Sequence, residues 1–298
     1  MKRLVIFMLA GLISLALAGC ASNVDDDGGG VVPEGIVLTT TTSGVFGIEL
    51  EGKDITIDWG DGNVQVIGDL NTLTNTPHTY ATGTEHTITM TGDITSLDCS
   101  DMRLKSLDVR AATELEYLKC SNNSIKRLDL RRNTALTVLI CNDNDLKSLD
   151  VSKNTALKEL ECSQNSISSL DISKNTALEK LYCNGNSISS LNLSRNIALK
   201  ELYCLFNSLK KLDVSKNIEL ERLYFRGNKL TSLDVSNNTM LEMINCQNNN
   251  INAAAFEKLF LTLPIRGESS KGTIYIGGNP GEAGLDLTTA INKFWQVN

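Results

Sequence analysis

The chain has 298 residues, of which 41% are hydrophobic, so a substantial core is available. It carries 28 Lys plus Arg against 35 Asp plus Glu, a net charge of −7 at pH 7. That balance argues against wrapping nucleic acid or seeking anionic lipid through the side chains themselves.

The first segment, MKRLVIFMLAGLISLALAGC, places Lys2 and Arg3 before an apolar run that ends at a small-residue site. This is a signal-peptide pattern over residues 1–19 and is too short for a stable membrane span. Leu17-Ala18-Gly19-Cys20 resembles the lipobox of bacterial lipoproteins. The resemblance implies cleavage before Cys20 and lipid on its thiol, with more acyl chains than the two signals stable anchoring needs. Loss of residues 1–19 removes Lys2 and Arg3 and no acid, moving the balance from −7 to −9. Residues 20–35, ASNVDDDGGGVVPEG after the cysteine, have no apolar periodicity and read as a flexible acidic and Gly-rich tether. An acidic stretch beside a lipidated cysteine resembles the surface-export signal of lipoproteins in Gram-negative gut commensals. The implied location is the outer membrane, lipid-anchored and exposed on the cell surface.

Residues 36–93 alternate Thr-, Ile- and Val-rich runs with Gly-containing turns, an all-β texture. Trp59-Gly60-Asp61-Gly62, then His78-Thr79-Tyr80, then Thr87-Ile88-Thr89-Met90-Thr91 resemble the PKD-type immunoglobulin-like domain, which implies a small β-sandwich. His86 stands where that family usually has an aromatic. Trp59 is expected in the core, and Asp61 is expected to fix the turn.

From about residue 94 to 251 one spacing governs. Cys99, Cys120, Cys141, Cys162, Cys183 and Cys204 recur every 21 residues, and the step continues through Phe225 to Cys246. Units open at Leu115, Leu136, Leu157, Leu178, Leu199, Leu220 and Leu241, with a degenerate one at Ile94. Positions are counted below from these openers. The pattern L-x-x-L-x-C-x-x-N-x-I/L resembles the leucine-rich repeat, notably that of bacterial surface lipoproteins, and is more distantly similar to internalins.

The repeat also has its own physical logic. One unit cannot bury its apolar side alone, so units must stack around a shared core. The L-x-C run alternates with period two, so it makes a strand, and stacking places strands side by side in a parallel sheet. An asparagine ladder, Asn123 to Asn249, is expected to satisfy the bend after the strand, and a second, Asn133 to Asn238, marks the other bend. Phe225 in the cysteine register argues for thiols as small core hydrophobes, and no spacing suits a metal site. Asp129, Asp150, Asp171, Asp213 and Asp234 form a row on the back, better suited to turn hydrogen bonding than to calcium.

Residues 252–298 lose the rhythm. Asn252 to Phe260 reads as a capped helix ended before Pro264, Gly272 to Gly281 as a strand running into a turn, and 286–295 as a last short helix. The segment is expected to be a C-terminal cap, because an open solenoid end exposes core and strand edge. The expected fold is therefore mostly β with little helix: a leucine-rich repeat solenoid with a parallel sheet on its concave face, preceded by a small β-sandwich and closed by a short α/β cap.

On the concave sheet, positions 3, 5 and 7 face outward. Position 5 reads Lys119, Ile140, Glu161, Tyr182, Tyr203, Tyr224 and Asn245, and three consecutive tyrosines are unusual for a wet stripe. Leu205 and Phe206 lie beside them, with Arg222 and Arg226 near. Aromatics and Arg dominate interface hot spots, and tyrosine faces also suit sugar rings. The expectation is a binding or adhesion module that presents Tyr182, Tyr203, Tyr224, Leu205, Phe206, Arg222 and Arg226 to a protein or glycan of host or other origin. It is expected as a monomer without cofactor or metal, held to the membrane through Cys20. A spacer with no ligand is the main alternative. An enzyme using Glu159 and Glu161 is a weaker one, because an open sheet offers no lid to shift a pKa.

Overall fold

The structure, a computed structural model, describes residues 31–298. The leader, Cys20 and the tether up to residue 30 lie outside the described residues. No described helix is long and apolar enough to cross a membrane.

Five strands open the described chain: β1 (Ile36–Thr40), β2 (Gly44–Asp58), β3 (Val64–Tyr80), β4 (His86–Asp98) and β5 (Leu104–Asp108). They are hydrogen-bonded in the order β3-β2-β4-β1-β5, every neighbour antiparallel. The core residues of β2 change parity along the strand, from Ile48 and Leu50 to Ile55 and Ile57, all fully buried. A bulge supplies the extra residue. The register with β4 shifts around Gly52 and Asp54, both at positive φ, and a Cβ on Gly52 would lie 2.4 Å from the Asp93 carbonyl oxygen. Among the described residues these strands belong to one sheet with the strands that follow. Trp59 is buried, and its ring stacks on His78 at 4.4 Å; Tyr80 stacks on His86 at 3.8 Å, so His86 fills an aromatic's place. Asp61 accepts from the Asn63 backbone N–H and from the His78 ring, fixing the turn.

β4 is the strand on which the fold turns. One edge pairs with β2 along its length, while the other serves β1 at His86–Met90 and then the first solenoid strand at Ser96–Asp98. The boundary expected at residue 93 thus falls inside a continuous strand. The antiparallel part passes into the solenoid through it, with Leu97 and Cys99 buried in register with the coils that follow.

The solenoid strands are β6 (Tyr117–Lys119), β7 (Val138–Ile140), β8 (Glu159–Glu161), β9 (Lys180–Tyr182), β10 (Glu201–Tyr203), β11 (Arg222–Tyr224) and β12 (Met243–Asn245). All pair in parallel at a constant 21-residue step. In each strand the central residue, Leu160 or Leu202 for example, is fully buried and its two neighbours are half-exposed. The cysteines follow into the core: all seven described thiols are free and buried, and Phe225 occupies the same row. The returning LDVS half of each coil forms turns and extended backbone without helix, which 21 residues per coil leave little room for.

Two asparagine ladders stitch the coils. Asn186 shows the first: its amide nitrogen donates to the carbonyls of Cys162 and Cys183, and its oxygen accepts from Ile167 in the preceding coil. Asn175 shows the second, donating to Val151 and Asn154 at 3.0 and 2.8 Å while fully buried. The back-face aspartates hold turns: Asp150, Asp171, Asp213 and Asp234 each accept from the backbone N–H two residues on.

Beyond β12 lie α1 (Ala253–Thr262), β13 (Gly272–Tyr275), α2 (Thr288–Asn292) and β14 (Trp295–Val297). Asn252 caps α1 by accepting from Ala255, and Phe256, Leu259 and Phe260 bury its inner face. Lys293 donates to the Leu261 and Leu263 carbonyls, satisfying the helix end. The repeat continues past Ile251. β13 pairs in parallel with β12, Ile274 and Ile276 take the leucine and cysteine places, and Asn279 repeats the first ladder, bonding Cys246, Ile276 and Ile251. α1 is inserted where shorter coils carry the LDVS segment, and β14 then pairs in parallel with β13.

Candidate concave binding face

The site is built from three stripes that the strands present in parallel. Position 5 carries Tyr182, Tyr203 and Tyr224 in exact register across β9, β10 and β11. The rings are half-buried and pack on one another: Tyr182 to Tyr203 at 4.7 Å with a 47° tilt, Tyr203 to Tyr224 at 4.4 Å and nearly parallel. A strand spacing near 4.8 Å places such rings at stacking distance. The consequence is that the ring faces meet each other and the ring edges are turned outward. Burial pushes the phenols up, Tyr203 to about 12, so all three are neutral donors at physiological pH. The Tyr182 hydroxyl bonds Glu201, and that of Tyr224 contacts the Met243 sulfur.

Position 3 is a ladder of alternating charge. Lys180 pairs with Glu159 at 3.2 Å and Arg222 with Glu201 at 2.8 Å, so Arg222 is tied up along the sheet. Lys119, at position 5, pairs with Asp98. Glu159 and Glu161 lie side by side on β8; Asn142 donates to Glu161, whose carboxyl is pushed up by burial.

Position 7 changes character along the solenoid. Ser100, Asn142, Ser163 and Asn184 each accept from the backbone N–H of position 7 in the next coil, the last of these being Leu205. At Leu205 this polar ladder stops, and Arg226 follows.

Position 8 is left-handed in every coil: Asp101, Asn122, Asp143, Gln164, Gly185, Phe206, Gly227, Asn248 and Gly278 all have positive φ. Gly, Asn and Asp adopt that conformation at little cost, whereas Phe206 at φ +52° stores about 1–3 kcal/mol of strain. Phe206 is also 54% exposed, so the core does not repay the strain. Its ring lies over Gly227, where a Cβ would stand 2.6 Å from it, and the Arg226 guanidinium sits over that ring, 5.6 Å from the centroid.

The seven residues expected at the site therefore divide. Tyr182, Tyr203, Tyr224, Leu205, Phe206 and Arg226 form one neighbourhood on the open face, and Arg222 faces the same way but is spent on Glu201. The feature not read from the sequence is the shared left-handed register, which becomes legible once the bend residues are aligned: in D, N, D, Q, G, F, G, N, G, Gln164 and Phe206 depart from Gly, Asn and Asp, and Phe206 is the one apolar member. In a repeat chain the other coils act as an internal control. Leu205, Phe206, Phe225 and Arg226 all depart from it within two adjacent coils.

Shallow grooves of about 370 Å³ and 270 Å³ run between coils on the back, lined by turn residues such as Asp213 and Asp234. They repeat with the coils and gather no convergent chemistry.

No family model matches this sequence, and no curated protein does. Similar solved structures exist. A leucine-rich repeat protein of Leptospira interrogans is 21% identical over 67% of this chain and 59% of that one, with a TM-score of 0.56. The internalin InlF of Listeria monocytogenes is 22% identical over 68% of this chain and 62% of that one, with a TM-score of 0.55. The functional domain of InlJ from Listeria monocytogenes, which includes a cysteine ladder, is 27% identical over 73% of this chain and 56% of that one, with a TM-score of 0.42. This chain spans about 56–62% of the length of these structures. The first two likenesses place the fold: the chain is a leucine-rich repeat solenoid.

Proposed function

We propose that this chain is a binding module of the adhesion type, that its concave face receives a protein ligand, and that Tyr182, Tyr203 and Tyr224 form the centre of the contact. The observation carrying this reading is the tyrosine ladder together with Leu205, Phe206 and Arg226 beside it, all at least partly exposed. A protein is favoured over a glycan because sugars stack on free aromatic faces, and here the faces are turned to one another. Aromatic edges beside apolar side chains suit a protein surface. We place the module on the outer face of the cell, tethered through lipid on Cys20, with the PKD-like strands at its base.

The test is replacement of Tyr182, Tyr203 and Tyr224 by Ala in the full-length chain. Unchanged circular dichroism with loss of adhesion to immobilised host-cell proteins supports the reading. Retained adhesion refutes it. The anchor is tested separately by palmitate labelling, which Cys20→Ala should abolish.

A further inference from the structure

Among the described residues, the strand face of the solenoid carries four cations at positions 3, 5 and 7. Lys119, Lys180 and Arg222 each hold a carboxylate. Arg226 does not: no hydrogen bond or ion pair joins its side chain to the described residues, and its Nε is shielded from solvent without a partner. A shielded, unsatisfied guanidinium donor is costly unless something outside the chain completes it.

The neighbours hold it ready. The Phe206 ring lies beneath the guanidinium, and Gly227 leaves the room for that ring. Phe206 occupies a left-handed position that the other coils give to Gly, Asn, Asp or, at Gln164, a flexible polar side chain, and it is the only bulky apolar residue in that row. Leu205 precedes Arg226 in the position-7 row, and the stacked Tyr203 and Tyr224 stand in the neighbouring position-5 row. Glu201, a carboxylate on the same face, is engaged by Arg222 and Tyr182.

We propose that Arg226, held over Phe206, is a carboxylate-binding site, and that the protein ligand seats an Asp or Glu side chain there with apolar residues flanking it. The inference rests on the concave-face reading above and adds the chemistry of the partner. A planar guanidinium offers a carboxylate two parallel N–H donors, and partial desolvation strengthens the pair. The chain's own net negative charge does not prevent it, because at physiological salt charges beyond about 8 Å are screened.

The experiment pans a random dodecapeptide phage library on the full-length chain in mild detergent, then measures the best peptide against variants. The expected result is a fixed acidic position flanked by apolar or aromatic residues. Arg226→Met, or Asn or Gln in place of the peptide's acid, should each weaken binding at least tenfold, and the two changes together no further than either alone. Phe206→Asn should weaken binding severalfold while leaving the melting temperature unchanged or higher, since Asn already serves this register at Asn122 and Asn248. A Phe206 that merely packs would give the opposite, a lower melting temperature with intact binding. Loss of binding with Tyr203→Ala but not with Arg226→Met overturns this inference alone. Failure of any peptide to enrich overturns the concave reading with it. Arg226-dependent capture of uronic-acid or sialylated glycans, in place of peptides, overturns the assignment to a protein.

Discussion

Alkali should unfold this protein, and the thiol row supplies the reason. Cys99, Cys120, Cys141, Cys162, Cys183, Cys204 and Cys246 are free and at most 1% exposed. Burial pushes Cys120, Cys204 and Cys246 up to about 12 and holds the others well above the ordinary 9.0. A thiol whose folded pKa is raised stabilises the fold fully below its unfolded pKa and loses that contribution as pH climbs from about 9 toward the folded value. At about pH 10 an unfolded thiol is roughly nine-tenths ionised, which favours the unfolded chain by about 1.4 kcal/mol. Seven such groups reach about 10 kcal/mol, comparable with the whole stability of a typical domain at about 5–15 kcal/mol. This is a ceiling, because a solenoid can open coil by coil. The assay follows circular dichroism and thiolate absorbance together from neutral pH to about pH 11, under reductant and without oxygen. Both signals should change in one steep transition. Replacing Cys141, Cys162 and Cys183 with Ala should make stability fall less steeply with pH above 9, by about 1.4 kcal/mol per unit for each thiol removed. Thiolate appearing while the dichroism stays native would refute the reasoning, because it would mean the sulfurs ionise, and so meet water, inside the intact fold.

Other perturbations test the remaining parts. Asn175→Ala removes the side-chain donor from the Val151 and Asn154 carbonyls, which keep the backbone N–H groups of Asn154 and Leu157, so urea melts should show a loss of about 1–3 kcal/mol. Leu202→Ala, at the centre of a fully buried strand, should cost about 2–5 kcal/mol in the same measurement. The back-face aspartates are held low by their turn hydrogen bonds, so their contribution is present above about pH 4 and lost as acid carries them through their depressed values. Asp171→Asn keeps that turn bond, as Asn192 does at the same register, and should flatten the acid limb of a stability–pH curve while leaving the neutral melting temperature in place.

The solenoid was legible because its information is periodic. A leucine, a cysteine and two asparagines at fixed offsets leave one arrangement in which every unit buries its apolar side, and Phe225 in the cysteine row already showed that the row is packing. The extra coil through β13 was hidden by spacing. Asn245 and Tyr275 are paired neighbours across the sheet but 30 residues apart, because α1 is inserted between them, and the 21-residue ruler passes over Ile274, Ile276 and Asn279. The aromatic stripe was visible as a stripe, but its geometry was not. Outward-facing register says that tyrosines face solvent; only the strand spacing and ring tilts say that they spend their faces on each other. Phe206 was found as a bulky neighbour, whereas its strain depends on a backbone angle that a side-chain pattern does not report.

The N-terminal boundary shows the same limit and yields a test. Texture changes near residue 93, from Thr-rich alternation to leucine repeats, yet β4 runs through that point and β1 lies between β4 and β5. If the texture marked a real division, residues 94–298 would fold as well alone as in the full chain. The pairing forbids it. Removing 1–93 takes β2 from the edge of Ile94–Asp98 and β1 from Leu104–Asp108, uncovering Ile94, Leu97, Leu104 and Leu107, all now buried. At about 1.5–3 kcal/mol for each side chain the loss is about 6–12 kcal/mol, more than one coil's contacts with its neighbour can offset. Because coils contact only adjacent coils, the damage should stay local. Hydrogen exchange in the truncated chain should show amides 94–114 unprotected while those of β8 to β11 remain slow, and the opened strand edge should drive self-association. Protection of Leu97 and Cys99 equal to that in the full chain would show that the repeats close their own end, and that β4 is two strands joined end to end.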